Sequence, residues 1–295
     1  MRSAALIIVF IPFLFWMNSG KTLHKAQKLG EGVITTGMEL SQAISPAGDE
    51  MYFARMAEQG DWNIYYSKWN KGQWTDPVVA PFSSPYTDAD PYFTSNGKKI
   101  FFLSDRPIKE GGEPFQFPDV WYVEKTTDGW SAPVYAKELN TAFGEGFMSL
   151  TNEGDIVFSS NQGNGDSFSI FKASHNGTTF ETPQPMALPI KVKDYANPLI
   201  ARDGSYLIID SDMKEGEGAD DLYILFKEGN GWTEPVNLGP TVNSPDSEGA
   251  PYVTFDGKHL LFGRIKVIND QFSSDIYQVS FQPLLKKAKE KAGLK

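Results

Sequence analysis

The sequence predicts an all-β protein, a five-bladed β-propeller with four-stranded blades. The main observation is an internal repeat marked by five turn glycines: Gly48, Gly97, Gly154, Gly204 and Gly257. These glycines are 49, 57, 50 and 53 residues apart, and a regular period of this length is typical of stacked supersecondary units. Each copy contains enough short hydrophobic segments for four strands, which is the content of one propeller blade.

We label the strands of each copy A to D from the inside of the ring outward. Strand A precedes the turn glycine, strand B follows it, and strand C contains an aliphatic-aromatic pair such as Ile64-Tyr65 or Val120-Trp121. Such β-branched and aromatic residues favour strands. Strand D follows an aromatic-x-x-Pro segment in four copies. A proline there suits an edge strand, because its missing N–H breaks no ladder bond.

The fifth copy ends near Phe281 without a strand D, and the missing strand is predicted at the start of the chain. Residues near the start match residues of the fourth copy at a constant offset of 209 positions: Leu29-Gly30, Val33 and Glu39 with Leu238-Gly239, Val242 and Glu248. We therefore expect residues 27–29 to form the outer strand of the last blade and to pair with its strand C. This closure would hide a sheet edge and tie the termini together.

The two ends of the chain predict segments outside the propeller. In residues 1–20, Arg2 precedes roughly a dozen apolar residues, a pattern of a signal peptide or N-terminal anchor. We expect the propeller over residues 21–284 and a basic tail over residues 285–295, which contain five lysines. The leader predicts an exported protein with no transmembrane domain beyond that anchor.

Composition argues against several classes of function. The chain has no Cys, which excludes thiolate metal sites and cysteine nucleophiles. Its three His are far apart and no Gly-x-Ser-x-Gly elbow is present, so a Ser-His-Asp triad is not expected. The net charge of −10 disfavours nucleic acid, whose binding requires clustered Lys and Arg to neutralise phosphates.

One copy of the repeat carries a recognisable signature. Residues 94–106, TSNGKKIFFLSDR, resemble the S-P-D-G-K-x-I-x-F-x-S-D-R signature of the TolB-like (WD-like) β-propeller repeat family. Weaker matches occur at residues 45–48, 201–204 and 254–257, so the resemblance spans about residues 25–281. It implies a monomeric binding module of the bacterial periplasm or cell envelope. Its partner would be an envelope protein or a cell-wall or glycan ligand.

The candidate binding residues surround one expected mouth of the central channel. Nine residues before the turn glycines stand four carboxylates and a tyrosine, and these positions begin the innermost strands. Together with two adjoining carboxylates, the candidates are Glu39, Asp88, Asp90, Glu145, Asp194, Tyr195 and Glu248. Converging carboxylates could bind the ligand or hold Ca²⁺, the one cofactor that the sequence suggests. Alternatively, a residue repeated in nearly every blade serves the fold by accepting hydrogen bonds from backbone N–H groups.

A function from a different class also stays open. Five-bladed propellers include carboxylate-dependent glycoside hydrolases, which need two carboxyl groups at set separations. In that case Asp88, Glu145 and Glu248 would be the catalytic residues. A pocket with two unlike carboxylates would favour the hydrolase, whereas a ring of equivalent carboxylates bonded to the backbone would favour a non-catalytic binding module.

Overall fold

Five antiparallel sheets stand in a ring, which confirms the five-bladed β-propeller. The structure is a computed structural model that describes residues 22–57, 60–162, 167–192, 194–213, 216–269 and 271–294. The leader predicted over residues 1–20 lies outside the described residues. Each innermost strand contacts the innermost strands of both neighbouring blades, so the ring is continuous around a central axis.

The strands follow one another blade by blade. The first strand is β1 (Gln27–Lys28). Blade 1 contains β2 (Glu39–Ile44), β3 (Glu50–Met56), β4 (Trp62–Asn70), β5 (Gln73–Trp74) and β6 (Val78–Val79). Blade 2 contains β7 (Asp88–Phe93), β8 (Lys99–Ser104), β9 (Asp119–Thr126), β10 (Gly129–Trp130) and β11 (Val134–Tyr135). Blade 3 contains β12 (Glu145–Leu150), β13 (Ile156–Ser160), β14 (Ser169–Ala173) and β15 (Gln184–Pro185). Blade 4 contains β16 (Tyr195–Ile200), β17 (Tyr206–Ser211), β18 (Asp221–Glu228), β19 (Gly231–Trp232) and β20 (Val236–Asn237). Blade 5 contains β21 (Ser247–Val253), β22 (His259–Ile268) and β23 (Gln271–Ser280), and helix α1 (Phe281–Lys291) follows.

The repeat explains how each blade is built. All five turn glycines between strands A and B have φ between +66° and +93°, a left-handed conformation that favours glycine. In blades 1, 2 and 4 the outer strand D consists of two short pieces that both pair with strand C. The proline of the aromatic-x-x-Pro segment lies between these pieces, at the outer edge of the sheet, as the sequence predicted.

Strand β1 closes the ring as expected. Gln27 pairs with Gln278 and Lys28 with Tyr277, so the N-terminal segment is the outer strand of blade 5. Leu29 follows it, is 2% exposed, and donates its backbone N–H to the carbonyl oxygen of Ile276 at 2.8 Å. The last blade therefore contains both ends of the described chain, and its strand C has no open edge at these positions.

Large aromatic side chains fill the space between blades. Tyr52 of blade 1 stacks on Phe82 and meets Phe93 edge-to-face across the boundary with blade 2. Trp130 of blade 2 donates its indole N–H to the Tyr52 hydroxyl at 2.9 Å. Buried Tyr and Trp usually satisfy their polar atoms in this way, so one ring supplies both apolar area and a directional bond.

Helix α1 packs against the propeller instead of projecting into solvent. Phe281, Leu284 and Ala288 are buried and lie at helical spacing on one side. Residues 285–291, expected to belong to a basic tail, thus lie within this helix, and its lysines occupy the exposed side. Among the described residues, no helix combines the length and the apolar character needed to cross a bilayer.

We expect the closing strand to stabilise the whole ring. Leu29→Ala should lower the free energy of unfolding by about 2–4 kcal/mol, because it removes a buried side chain at the junction of the first and last segments. Urea denaturation followed by tryptophan fluorescence measures this loss. As a control, Val78→Ala on the exposed outer strand of blade 1 should change stability by less than about 0.5 kcal/mol. Equal effects of both changes would contradict the role of β1.

Candidate functional site

The repeated carboxylates surround one end of the central channel. Glu39, Asp88 and Glu145 are the first residues of β2, β7 and β12, and Glu248 is the second residue of β21. All innermost strands run in the same direction along the channel axis. Their first residues therefore lie at the same end of the channel, which we call the mouth face. The B–C loops and the segments that enter strand A lie on this face, and the turn glycines lie on the opposite one, the turn face.

In three blades the carboxylate forms an ion pair with an arginine of its own blade. Glu39 pairs with Arg55 at 2.9 Å, Asp88 with Arg106 at 2.6 Å, and Glu248 with Arg264 at 2.6 Å. All three carboxylates are 0% exposed. Burial raises the pKa of Glu248, and its hydrogen bonds from Ser244 and Arg264 oppose that rise. These carboxylates are therefore neutralised inside the blades rather than presented to the channel.

Each pair also fixes the segment that enters strand A. The carboxylate of Glu248 accepts bonds from the backbone N–H and the hydroxyl of Ser244, at 2.9 and 2.6 Å. Ser84 donates to Asp88 in the same two ways, at 2.6 and 2.9 Å. The arginine completes the contact, because Arg264 donates to the carbonyl oxygen of Val242 at 2.8 Å. Such bonds to buried charged groups hold the loop against the blade.

Blades 3 and 4 depart from this arrangement. In blade 3 the residue paired with the carboxylate across the strands is Ser160 instead of an arginine, and the next residue, Asn161, accepts a hydrogen bond from the backbone N–H of Gly144 at 3.0 Å. In blade 4 the carboxylate is replaced by the half-buried Tyr195, and Ser211 donates to the backbone carbonyl of Asp194 at 2.8 Å. The side chain of Asp194 is exposed on the mouth face.

Glu145 has no arginine partner, and its environment favours the protonated carboxyl group. It accepts a bond from the Thr141 hydroxyl at 2.7 Å and faces Asp119, the first residue of β9 in blade 2. Burial, together with the neighbouring Asp119 charge, raises the pKa of Glu145 to about 8. Burial also raises the pKa of Asp119, which accepts a bond from the Tyr135 hydroxyl at 2.8 Å. Glu145 is thus protonated at neutral pH, with Asp119 as the neighbouring carboxyl group.

Bulges in the innermost strands bring further polar residues to the channel. All five innermost strands change register, and in four of them the bulged residue has positive φ: Ser41, Asp90, Asn197 and Ala250. The Asp90 carboxylate accepts a hydrogen bond from Ser41 of the neighbouring blade. Burial raises the pKa of Asp90 to about 6. Positive φ at non-glycine residues is strained, and such residues often cluster at functional sites.

A second buried carboxyl group lies between blades 4 and 5. Asp210 accepts a hydrogen bond from the side-chain amide of Asn197 and lies against Gly249, where a Cβ atom would be 2.6 Å from Asp210 Oδ2. Burial, reinforced by the charge of Asp220, raises the pKa of Asp210 to about 7. The glycine is therefore needed for this close approach. The sequence did not identify Asp210 as a candidate for the channel.

The mouth face also exposes apolar side chains. Eight large hydrophobic residues are exposed in the part of the chain that the structure describes, and five are on this face: Ile108, Phe117, Phe143, Val267 and Phe272. Val267 and Phe272 pair across the tip of the β22–β23 hairpin and are 62% and 67% exposed. Asp194, Asp212 and Asp220 add exposed negative charge beside blade 4.

The structure brings the seven predicted residues to one end of the ring but does not join them into one cluster. Within the described ranges, no group of three or more Asp, Glu or His side chains is arranged to hold a metal ion. Neither ligand binding nor a Ca²⁺ site at the mouth is tested by the structure, and both stay predictions. The arginine partners were missed, although Arg55 and Arg264 each follow their carboxylate by 16 residues.

Comparisons with known proteins agree on the architecture. No family model matches the chain, and no curated protein matches it at a significant level. A thermostable family-43 glycoside hydrolase superposes with a TM-score of 0.58 and 11% identity, covering 86% of this chain and 93% of that one. The catalytic domain of a family-62 α-L-arabinofuranosidase from Coprinopsis cinerea gives 0.53 and 9% identity, covering 88% and 95%.

TolB from Acinetobacter baumannii is also similar, with a TM-score of 0.49 and 14% identity over 82% of this chain. The match covers 54% of that TolB, so this chain spans about half its length. Identities this low show a shared fold alone. The solved structures therefore include both TolB proteins and glycoside hydrolases, and membership of the TolB-like repeat family stays a prediction.

We expect the ion pair in blade 2 to be required for stability. Arg106→Met should destabilise the protein by about 3–5 kcal/mol, because Asp88 would be left buried and unpaired. Adding Asp88→Asn should recover part of that loss, and urea denaturation of the four proteins gives the coupling energy. The control is Lys258→Met, which removes a solvent-exposed pair with Asp256 and should cost less than about 1 kcal/mol.

Glu145 should make stability pH-dependent with a defined sign. The folded protein keeps its proton up to a pKa of about 8, whereas the unfolded chain loses it near 4.5. The stabilising contribution is therefore complete below pH 4.5 and is lost as pH rises to 8. Glu145→Gln should gain stability relative to the unsubstituted protein across this window, by about 1 kcal/mol or more at pH 8.5. A stability difference that is independent of pH, in urea titrations at several pH values, would refute this assignment.

Proposed function

We propose that this protein is an exported, non-catalytic binding module of the bacterial cell envelope that holds its ligand on the mouth face. The ligand would be a protein segment or a cell-wall or glycan molecule. The observation that carries the proposal is the state of the repeated carboxylates: three of the four are buried, paired with arginine and bonded to backbone N–H groups. A repeated set committed in this way supports a scaffold rather than a catalytic centre.

The exposed apolar residues favour a protein segment as the ligand. Soluble proteins rarely expose clustered apolar side chains without a binding role. Phe272 and Val267 extend from blade 5 on a long hairpin, while Phe117 and Phe143 lie near the boundary of blades 2 and 3. Loops on a rigid scaffold commonly determine specificity, and the ion pairs fix the neighbouring segments. The exposed negative charges of Asp194, Asp212 and Asp220 would favour a protein segment with basic residues.

The predicted leader supports location outside the cytoplasm, and the resemblance of the repeat to TolB-like propellers supports the envelope. Both supports come from the sequence, since the leader lies outside the described residues. Envelope location therefore belongs to the proposal together with the binding role.

The mouth face can be tested with peptide selection. We expect the mature protein to enrich peptides from a random displayed library, and Phe272→Ser or Phe143→Ser to weaken their binding at least about tenfold by fluorescence anisotropy. Val134→Ser is the control, because Val134 is 41% exposed but lies on the outer strand of blade 2, at the perimeter of the ring. Sedimentation with purified peptidoglycan, using the same variants, tests the glycan ligand. Binding that is insensitive to both phenylalanine substitutions would contradict the proposed site.

One observation favours a hydrolase as the second candidate. Glu145 and Asp119 are two neighbouring carboxyl groups in different surroundings, and Glu145 keeps its proton at neutral pH as a general acid would. Both are nearly inaccessible, at 3% and 5% exposure, which leaves little room for a sugar between them. Hydrolysis of arabinose- or xylose-containing substrates that Glu145→Gln abolishes would replace the binding module with this function.

A further inference from the structure

A cleft lies on the turn face, at the end of the ring opposite the proposed binding surface. It has a volume of about 650 Å³ and separates the A–B turn of blade 2 from the A–B turn and the C–D segment of blade 3. We call it the turn-face cleft. The lining residues that matter below are Ser95, Asn96, Lys98, Thr151, Asn152 and Glu153. Its volume is within the range of about 300–1,000 Å³ that is usual for small-molecule sites.

The equivalent space between blades 4 and 5 is filled by side chains. There, Arg202 occupies the position two residues before the turn glycine, and its guanidinium lies 3.6 Å from the ring centre of Phe255 at the equivalent position of the next blade. Between blades 2 and 3, these two positions hold the small polar residues Ser95 and Asn152, which are hydrogen-bonded at 2.9 Å. These short side chains leave the space between the turns of blades 2 and 3 open.

Helix α1 adds a second cover at the boundary of blades 4 and 5. Phe281 packs against Tyr206 of blade 4, with ring centres 5.5 Å apart. Gln282 donates to the backbone carbonyl of Gly257, the turn glycine of blade 5, at 2.7 Å. The chain thus covers one such boundary with its own C-terminal helix, while the turn-face cleft has no corresponding cover among the described residues.

The polar groups of the cleft are mainly unused donors. The Asn96 side-chain oxygen accepts bonds from Thr94 and from the backbone N–H of Lys98, both at 2.9 Å. The Asn152 oxygen accepts the bond from Ser95. No described residue accepts a hydrogen bond from either side-chain amide nitrogen, and the exposed ammonium of Lys98 has no ion-pair partner in the described part of the chain. Two NH₂ groups and one cation therefore remain for a ligand.

Thr151, in the wall of the cleft, lacks the hydrogen bond that its counterparts in two other blades make. In blades 2 and 5 the equivalent threonines, Thr94 and Thr254, donate to the side chain just before the turn glycine, Asn96 and Asp256. In blade 3 that position is Glu153, and the Thr151 hydroxyl has no hydrogen-bond partner among the described residues although Thr151 is only 8% exposed. This oxygen is closed to solvent, so it marks a local mismatch in the wall of the cleft and is not itself a contact for a ligand.

We propose that the turn-face cleft binds a sugar-sized ligand that carries a carboxylate or a phosphate group. The anionic oxygens accept bonds from Lys98 and from the side-chain NH₂ groups of Asn96 and Asn152, which suits a site composed of donors. The rings of Phe101 and Phe180, in edge contact at 6.1 Å, form the apolar part of the lining and suit the C–H face of a sugar ring.

Two acidic residues line the same cleft and define its selectivity. Glu124 is neutralised by Lys99 at 2.9 Å. Glu153 is exposed and forms no ion pair with a described residue, so it repels an anion and weakens binding. Neutralising Glu153 is therefore expected to strengthen anion binding, whereas removing the charge of Lys98 is expected to weaken it.

Glucuronate, glucose 6-phosphate and glucose have the same type of sugar ring but differ in charge. Comparing their binding separates the contribution of the anionic group from that of the ring. Titration calorimetry on the mature protein at low salt should detect at least one of the two anions and no binding of neutral glucose at millimolar concentrations. Glucuronate and glucose 6-phosphate distinguish a carboxylate from a phosphate as the preferred group. Absence of binding by both anions, or equal binding of glucose, would overturn the proposal.

Matched substitutions locate the binding. Lys98→Gln and Asn152→Ala should each weaken anion binding several-fold to about tenfold, and Glu153→Gln should strengthen it. The control is Lys258→Gln, which removes a lysine from the same repeat position in blade 5, where Asp256 pairs with it at 3.0 Å and α1 lies against the turn. Binding that all four variants leave unchanged would place the anion elsewhere and refute the site. The peptide-binding variants on the mouth face should not alter it, so the two proposals fail independently.

Discussion

The pairing of β1 with β23 is the constraint on which the rest of the structure depends. A blade buries its faces only against neighbouring blades, so an open array would leave two terminal blades exposed. Here the start of the described chain completes the last blade, and Gln27 and Lys28 pair directly with strand C. Since α1 follows β23 immediately, closure also determines where the helix lies, over the boundary of blades 4 and 5.

In the closed ring, the repeated ion pairs hold in place the segments that connect one blade to the next. Arg55, Arg106 and Arg264 each join a buried carboxylate to backbone carbonyls of the segment that enters strand A. Removing such charges from water is unfavourable, and the several hydrogen bonds made by each pair offset that cost. A rigid rim with variable loops is an arrangement suited to binding, which is why the carboxylates support binding indirectly rather than as ligand contacts.

The sequence predicted the architecture because repeated positions report local geometry. The turn glycines, the prolines of strand D and the offset that relates Leu29 to Leu238 each follow from backbone requirements. The partners of the carboxylates depend on side-chain direction, so Glu39 and Asp88 were assigned to the channel although they turn into their own blades. Contacts between blades, such as Glu145 with Asp119, leave no periodic signal. Neither does a gap such as the turn-face cleft, which depends on small residues.

Blade 3 departs from the repeat at both ends of β12. At its start, Glu145 has no arginine partner, and its carboxyl group is neutral because it keeps its proton. Just after its end, Thr151 has lost the acceptor that satisfies the equivalent threonines of blades 2 and 5. A symmetric array stabilises itself with identical contacts, so each lost contact weakens the fold unless another group replaces it. Blade 3 retains two such losses within a few residues of one strand. Each leaves a buried polar atom without a hydrogen-bond partner, so substitution at either position is the direct way to stabilise this blade.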